Sequence, residues 1–364
     1  HMDVSLEKSS LLSIVQNTQR ALSGKSSLPV LNGILLEAKD NTLTAYSTDL
    51  EISIKDKTDA SVATEGRLVV FGNILGDLVK SINDGKISLV IDKKNNKLIV
   101  KSSGSRFDLN TLPVEDYPSF PETEEDTTYI NINKKEFEEA AKQVVVAASR
   151  DDGRPVLTGV LIETTSKKSR MVATDSYRLS LKIIKTSQKE HAPIIVPRRA
   201  IEEIIKIMSG GENLKISFSD KQISFVSGNL VLVSRLIGGQ YPNFEQLFPK
   251  EFQTEIIANK EEVMQSAKRM SLLSSTTPII LRAKDNKLTM SNKSADVGSG
   301  EEEIKTKNKI KDIEVAFNSK YLIDGLGAIK GEEAKIQLID SFQPGIIKGS
   351  EEEYEYLIMP VRMN

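Results

Sequence analysis

Apolar residues recur along this chain at two spacings. Leu75, Leu78, Val79 and Ile82 stand at i, i+3, i+4 and i+7, and Ile201, Ile204, Ile205 and Met208 draw the same stripe, which is one face of an α-helix. Phe137, Ala141, Val144 and Ala148 give a third face, with weaker versions over 10–22, 260–273 and 319–329. Between the helices lie short alternating runs: Leu50, Ile52 and Ile54; Ile87, Leu89 and Ile91; Leu214, Ile216 and Phe218. Period-two alternation predicts half-buried strands. Residues 92–97 and the pair Asp285-Asn286 carry turn formers. The fold class is α+β, helix plus strands several times over.

The elements repeat. Residues 28–37, Leu-Pro-Val-Leu-Asn-Gly-Ile-Leu-Leu-Glu, return 126 positions later as Arg-Pro-Val-Leu-Thr-Gly-Val-Leu-Ile-Glu over 154–163. Thr48-Asp49 returns as Thr174-Asp175 at the same offset, and the Tyr-Pro of 117–118 is echoed at 241–242. A fainter third copy begins with Asn-Lys-Glu-Glu at 259–262, which answers Asn-Lys-Lys-Glu at 133–136, and Ala-Lys-Asp-Asn at 283–286 repeats 38–41. Three modules follow, expected at 3–126, 127–251 and 252–364, with breaks at the acidic stretch 121–127 and near 249–252. Each module holds two helical patterns. A repeat array must cap its ends or bury them against another copy, and closing into a ring removes the ends.

Composition narrows the function. With 39% apolar and 27% charged residues over 364 positions, the chain reads as folded and multidomain. It has no cysteine and two histidines, which removes disulfides, thiolate catalysis and thiolate zinc sites. His1 and Met2 read as remnants of expression, leaving His191 alone for any His-based metal site or triad. No catalytic residue, metal or cofactor is therefore expected. The net charge of -2 sets up no global field toward nucleic acid. No run approaches the ~18 apolar residues of a membrane span and no secretory signal opens the chain, so a cytoplasmic protein without a membrane partner is expected.

Several segments together resemble the bacterial DNA polymerase III beta subunits, the sliding clamps: Leu-Pro-Val-Leu at 28–31, Ser-Arg-Phe-Asp-Leu-Asn-Thr-Leu-Pro at 105–113, Val-Ala-Thr-Asp-Ser-Tyr-Arg-Leu at 172–179, Ile-Val-Pro-Arg-Arg at 195–199, Tyr241-Pro242, and Leu-Ile-Met-Pro-Val-Arg-Met at 357–363. The resemblance spans the whole chain. It implies a head-to-tail homodimer whose six clamp domains enclose duplex DNA, with helices lining the hole and antiparallel sheets outside. Twelve helices at about 10 Å spacing would line a hole roughly 38 Å across. The implied role is a non-enzymatic, nucleoid-associated processivity factor that tethers the DNA polymerase III alpha subunit, clamp-loader subunits and other replication and repair proteins through short Leu/Phe-rich peptides.

Residue by residue, the resemblance nominates Lys25, Lys80, Lys142, Arg150, Arg154, Arg198, Arg199, Lys206 and Lys268 as phosphate contacts, although Lys and Arg on a helix face also serve solubility. Lys25 replaces a more usual arginine, and Pro155-Val156 replace an aromatic pair of some members. A peptide cleft is nominated at Leu157, Thr174, Ser176, Tyr177, Arg178, Leu179, Pro242, Gln246, Leu247, Phe342, Pro344, Leu357, Met359, Pro360, Val361, Arg362 and Met363. Pro360 would hold the last strand extended, and methionines adapt to varied ligands. Ser176 stands where glycine is frequent, Tyr177 where histidine is and Gln246 where arginine is, and Asn364 extends the usual end. The dimer seam is nominated at Phe107 against Leu272 and Leu273, with Glu301, Glu302 and Glu303 facing Lys101 and Arg106.

Two other readings compete. One is a recruiting scaffold of the same fold that does not encircle DNA. The other is a hydrolase using the carboxylates of Asp49 or Asp175, but a position repeated in two modules reads as a turn fixture rather than a catalytic group.

Overall fold

The computed structural model describes residues 1–22, 28–124, 127–185 and 189–363. Six α-helices appear among them: α1 (Lys8–Gln19), α2 (Gly72–Ser81), α3 (Lys134–Val145), α4 (Arg198–Ile207), α5 (Lys260–Leu273) and α6 (Ser319–Ala328). Each of the six apolar stripes overlaps one of them, two helices to each repeat, although Ile82, Ala148 and Met208 fall past the ends of α2, α3 and α4. All paired strands are antiparallel.

The chain forms two compact units, one of residues 1–134 with 199–236, the other of 135–198 with 237–364. The first unit carries thirteen strands in one continuous order. Its core joins Leu11, Ile14 and Val15 of α1 and Leu75 and Val79 of α2 to Ile34, Leu36, Leu43 and Leu89 of the strands. Met2 is fully buried in this core and its carbonyl accepts from the Ile91 N–H at 3.0 Å. The expected expression remnant is thus partly a structural residue. Inside this unit, strand Leu230–Arg235 of the second repeat pairs with strand Ile52–Asp59 of the first.

The second unit holds an eight-stranded and a four-stranded sheet. Its larger core joins Val263, Ala267 and Met270 of α5 and Leu322 and Leu326 of α6 to Ile256, Leu281, Ile336, Tyr354 and Tyr356. Strand Arg178–Ile184 of the second repeat pairs with Tyr354–Ile358 of the third, Leu179 opposite Leu357. Successive repeats are therefore joined by edge strands completing one another's ladders, which satisfies backbone groups that an open edge leaves unpaired.

Local chemistry explains the helix starts. Asn259 caps α5 by accepting from the Glu262 N–H at 3.0 Å, and Asn318 caps α6 by accepting from the Tyr321 N–H at 3.0 Å. Asp285 and Asn286 have φ of 51° and 62°, the left-handed pair that a two-residue hairpin turn requires. One expectation fails: Leu50 belongs to no strand. It sits 48% exposed at φ 77°, and the strand begins at Ile52.

Candidate functional site: an apolar cleft and two open sheet edges

The reason for the Leu50 exception also builds the cleft. Asp49 Oδ1 accepts from the N–H groups of Glu51 and Ile52 at 2.9 and 2.7 Å, and Thr48 Oγ1 accepts from Leu50 N–H at 3.0 Å. In the second repeat Asp175 Oδ1 accepts from Tyr177 and Arg178 N–H at 3.0 and 3.1 Å, and Thr174 Oγ1 from Ser176 N–H at 3.2 Å. Each Thr-Asp pair thus folds a tight turn that forces the next residue to positive φ, 77° at Leu50 and 80° at Ser176. A glycine would adopt that conformation without strain. The two aspartates are turn fixtures.

The Thr174-Asp175 turn lifts Tyr177 out of the second unit's sheet, 61% exposed, while Arg178 points inward at 6%. Beneath it Leu161, Val172, Leu179, Ile195, Phe244 and Leu357 form a buried apolar floor, with Tyr241 and Met359 packed against it. Met359 N–H donates to the Tyr177 carbonyl at 2.9 Å, and Val361 N–H donates to the Ala316 carbonyl at 2.8 Å, so the terminal segment is pinned beside the turn. Leu247, Phe342, Val361 and Met363 stand 44%, 75%, 38% and 37% exposed, and Ser176, Pro242, Gln246 and Arg362 are exposed too. Pro344, Met359 and Pro360 are half-buried.

The nominated cleft residues therefore divide into two layers. Leu157, Thr174, Arg178, Leu179 and Leu357 are buried and support the floor rather than opening onto solvent. Arg178 is held by Asp175 at 3.1 Å and by Asp324 of α6 at 2.5 Å, with its guanidinium 4.4 Å above the Tyr321 ring. Burial alone would lower the Arg178 pKa, but Tyr356, Asp324 and Asp175 outweigh it and raise it. Tyr177 stacks on Tyr321 at 6.3 Å between centroids. The sequence reading missed Tyr321 and Asp324, because nothing local links α6 to a turn some 140 residues earlier.

Comparison with known proteins settles the family. The DNA polymerase III beta subunit N-terminal domain matches residues 2–121, its central domain 131–243 and its C-terminal domain 245–362. The chain belongs to the DNA polymerase III beta subunit family. It is 30% identical over 379 residues to the beta sliding clamp of Streptomyces coelicolor, covering 100% of both chains. Among solved structures it is similar to the DNA polymerase III beta chain of Streptococcus pneumoniae, TM-score 0.95 at 28% identity, and to the sliding clamp of Bacillus subtilis, TM-score 0.94 at 26%, each over 100% of both chains. Members of the beta subunit family are non-catalytic processivity factors, and this chain acts as one.

In this clamp subunit the nominated basic residues are unevenly placed. Lys80, Lys142, Arg150, Arg154, Lys206 and Lys268 are exposed, whereas Arg198 and Arg199 are half-buried. Several are already engaged: Lys142 with Glu138 at 2.6 Å, Lys206 with Glu203 at 3.9 Å, Arg199 with Asp49, and Arg154 with the Ser176 hydroxyl. Lys25 lies outside the described residues. Among the described residues no helix is long and apolar enough to cross a membrane.

Of the seam residues, Arg106 and Phe107 lie on one open strand edge and Glu301, Glu302 and Glu303 on another, whereas Leu272 and Leu273 end α5 and Lys101 lies on the strand beside Arg106. Strand Ser105–Leu112 pairs with Lys97–Ser102 on one side, but on the other only Thr111 and Leu112 have partners. Strand Gly298–Ile304 is the outer strand of the four-stranded sheet. Phe107 is 39% and Leu272 81% exposed, whereas Leu273 packs partly on the core. Arg106 pairs with Asp108 on its own strand at 2.9 Å, and Lys101 is exposed. Glu302 is held by Arg269 at 2.7 Å and by the Ser266 hydroxyl, which together keep its carboxyl below the usual range. Glu301 and Glu303 are the exposed pair.

Proposed function

We propose that two copies of this chain close head to tail into a ring around duplex DNA and recruit the replicative polymerase and other partners through the cleft. The observation that carries the ring is the pair of open edges. Within the chain, each repeat joins the next by completing an edge ladder. Residues 105–110 and strand Gly298–Ile304 are the corresponding edges left over at the first and third repeats. Pairing them between protomers would use the same device, with Phe107 and Leu272 giving apolar closure. Exposed pairs such as Lys101 with Glu301 or Glu303 would add only about 0–1 kcal/mol each.

The DNA contact proposed is loose. Lys80, Lys142, Arg150, Arg154, Arg198, Arg199, Lys206 and Lys268 would meet phosphate as scattered charges, several partly neutralised by neighbouring carboxylates. A strong grip would release many counterions and oppose sliding. The cleft suits an extended Leu/Phe-rich peptide, such as the polymerase alpha subunit or clamp-loader subunits would present. It offers a fixed apolar floor under adaptable Met359 and Met363 and exposed Tyr177 and Phe342.

Two experiments test the reading. Sedimentation of the parent and of Leu272→Ala with Leu273→Ala should give a dimer and a monomer; a parent that is monomeric at micromolar concentration favours the non-encircling scaffold. Loaded protein should persist on circular DNA and run off linear DNA, and equal loss from both would sink the ring.

A further inference from the structure

The second and first repeats treat one carboxylate differently. Glu163 stands opposite Arg170 across the strand pair, and Glu37 stands opposite Thr44 at the same register. Glu163 is ion-paired with Arg170, which also reaches Glu245 and lies 4.7 Å above the Phe244 ring. That clamp holds the loop carrying Tyr241 and Pro242 down on the sheet, leaving Phe244 5% exposed in the floor of the cleft.

With threonine in the arginine's place, Glu37 has no ion pair among the described residues, and the cation over the first repeat's phenylalanine is Lys55, 4.8 Å from the Phe120 ring. Phe120, the counterpart of Phe244, stays half-buried, and a cavity of about 420 Å³ opens between its loop and the sheet. Tyr46 and Ser53 line it where the second repeat has Val172 and Leu179. Its walls carry two carboxylates, Glu37 and Glu115, neither with an ion-pair partner among the described residues. A single cation, Arg67, sits opposite Glu37 in register without pairing to it. Among the described residues the Tyr46 hydroxyl is the hydrogen-bond partner of the Glu37 carboxylate, at 3.4 Å. Tyr46 and Phe120 meet edge to face at 6.0 Å and present an aromatic corner beside the free carboxylate.

We propose that this cavity is a second peptide-docking site, which takes an extended partner segment carrying an arginine next to a leucine or phenylalanine. The partner's guanidinium supplies to Glu37 what Arg170 supplies to Glu163, and its apolar neighbour packs against Tyr46 and Phe120. A bidentate charge-assisted contact in a half-buried site is selective for arginine over neutral isosteres. The choice of a peptide as ligand rests on the cleft reading above; the unpaired carboxylate and the cavity do not.

The test uses the full-length protein and two photo-crosslinking peptides, Gly-Arg-Leu-Phe-Gly and the same sequence with citrulline for arginine, both amidated and acetylated. Crosslinks of the arginine peptide should map to residues 114–120. Glu37→Gln or citrulline should each weaken that binding about tenfold, with little further loss when combined, as expected for one charge-assisted contact worth roughly 1.5 kcal/mol. Thr44→Arg should block the site by giving Glu37 an internal partner, and Met359→Ala should leave these crosslinks intact. Crosslinks confined to the cleft, lost on Met359→Ala and indifferent to Glu37→Gln, overturn the proposal while leaving the cleft standing. Peptide binding at the cleft that survives Met359→Ala refutes the cleft reading instead, whatever Glu37→Gln does.

Discussion

The ammonium group of Lys260 lies 2.6 Å from the carbonyl oxygen of Ile329, the residue that follows α6. The same contact occurs once in every repeat. Lys134 donates to the Ser209 carbonyl at 3.0 Å beyond α4, and Lys8 to the Lys80 carbonyl at 3.1 Å near the end of α2. The backbone N–H groups of Lys8, Lys134 and Lys260 also donate to the carbonyls of Gly85, Glu212 and Glu332. One lysine, recurring every 126 positions, thus starts the first helix of each repeat and caps the carbonyl end of the second.

Lys260→Met keeps the aliphatic stem and removes the cap, so it should cost about 1–2 kcal/mol. A lowered urea midpoint with unchanged helix content by circular dichroism is the expected result, and Lys8→Met and Lys134→Met should behave alike.

Asp324 offers a sharper loss. Its carboxylate and that of Asp175 are the acidic partners of buried Arg178, so Asp324→Ala leaves a half-compensated charge and should destabilise by about 3 kcal/mol. Because Tyr321 packs on this guanidinium and Tyr177 stacks on Tyr321 in turn, peptide titrations of the folded variant should also show weaker binding than the parent.

Leu50 tests the strained turn. Leu50→Gly relieves the positive φ and gains unfolded-state entropy, leaving stability within about 1 kcal/mol of the parent. Leu50→Val should lose more than about 1 kcal/mol, since a β-branched residue resists this conformation. Equal thermal midpoints for the two variants would contradict the turn account.

Asp56 predicts a pH dependence. It is 8% exposed and bonded to Asn17 and the Lys57 N–H, both at 2.9 Å. Burial outweighs both hydrogen bonds and raises its pKa. The folded state therefore holds this proton more tightly than the unfolded chain does. Stability from this group is gained as pH falls through the folded pKa, and the burial penalty is complete above it. Asp56→Asn should raise the urea midpoint at pH 7, with the advantage fading as pH approaches the unfolded value of about 3.9.

Much of this protein is legible in its sequence because the signals are short-range. Helix stripes need only i, i+3 and i+4, the Asp285-Asn286 turn needs two residues, and the Thr-Asp turns need five; the 126-residue offset then copies the stripes and the Thr-Asp turn from the first repeat to the second. The misreading of Leu50 as strand has the same origin, since alternation continues through a residue whose backbone is set by the side chains of Thr48 and Asp49. What sequence spacing could not decide is which charged groups meet. Arg178 finds Asp324 across 146 positions and buries itself under the cleft, while Glu37 and Glu163, identical in the repeat, end with opposite fates because one partner position holds threonine and the other arginine. The repeat determined the scaffold; packing between distant strands decided where charge is neutralised and where it is left open, because ion pairing depends on distance in space and not along the chain.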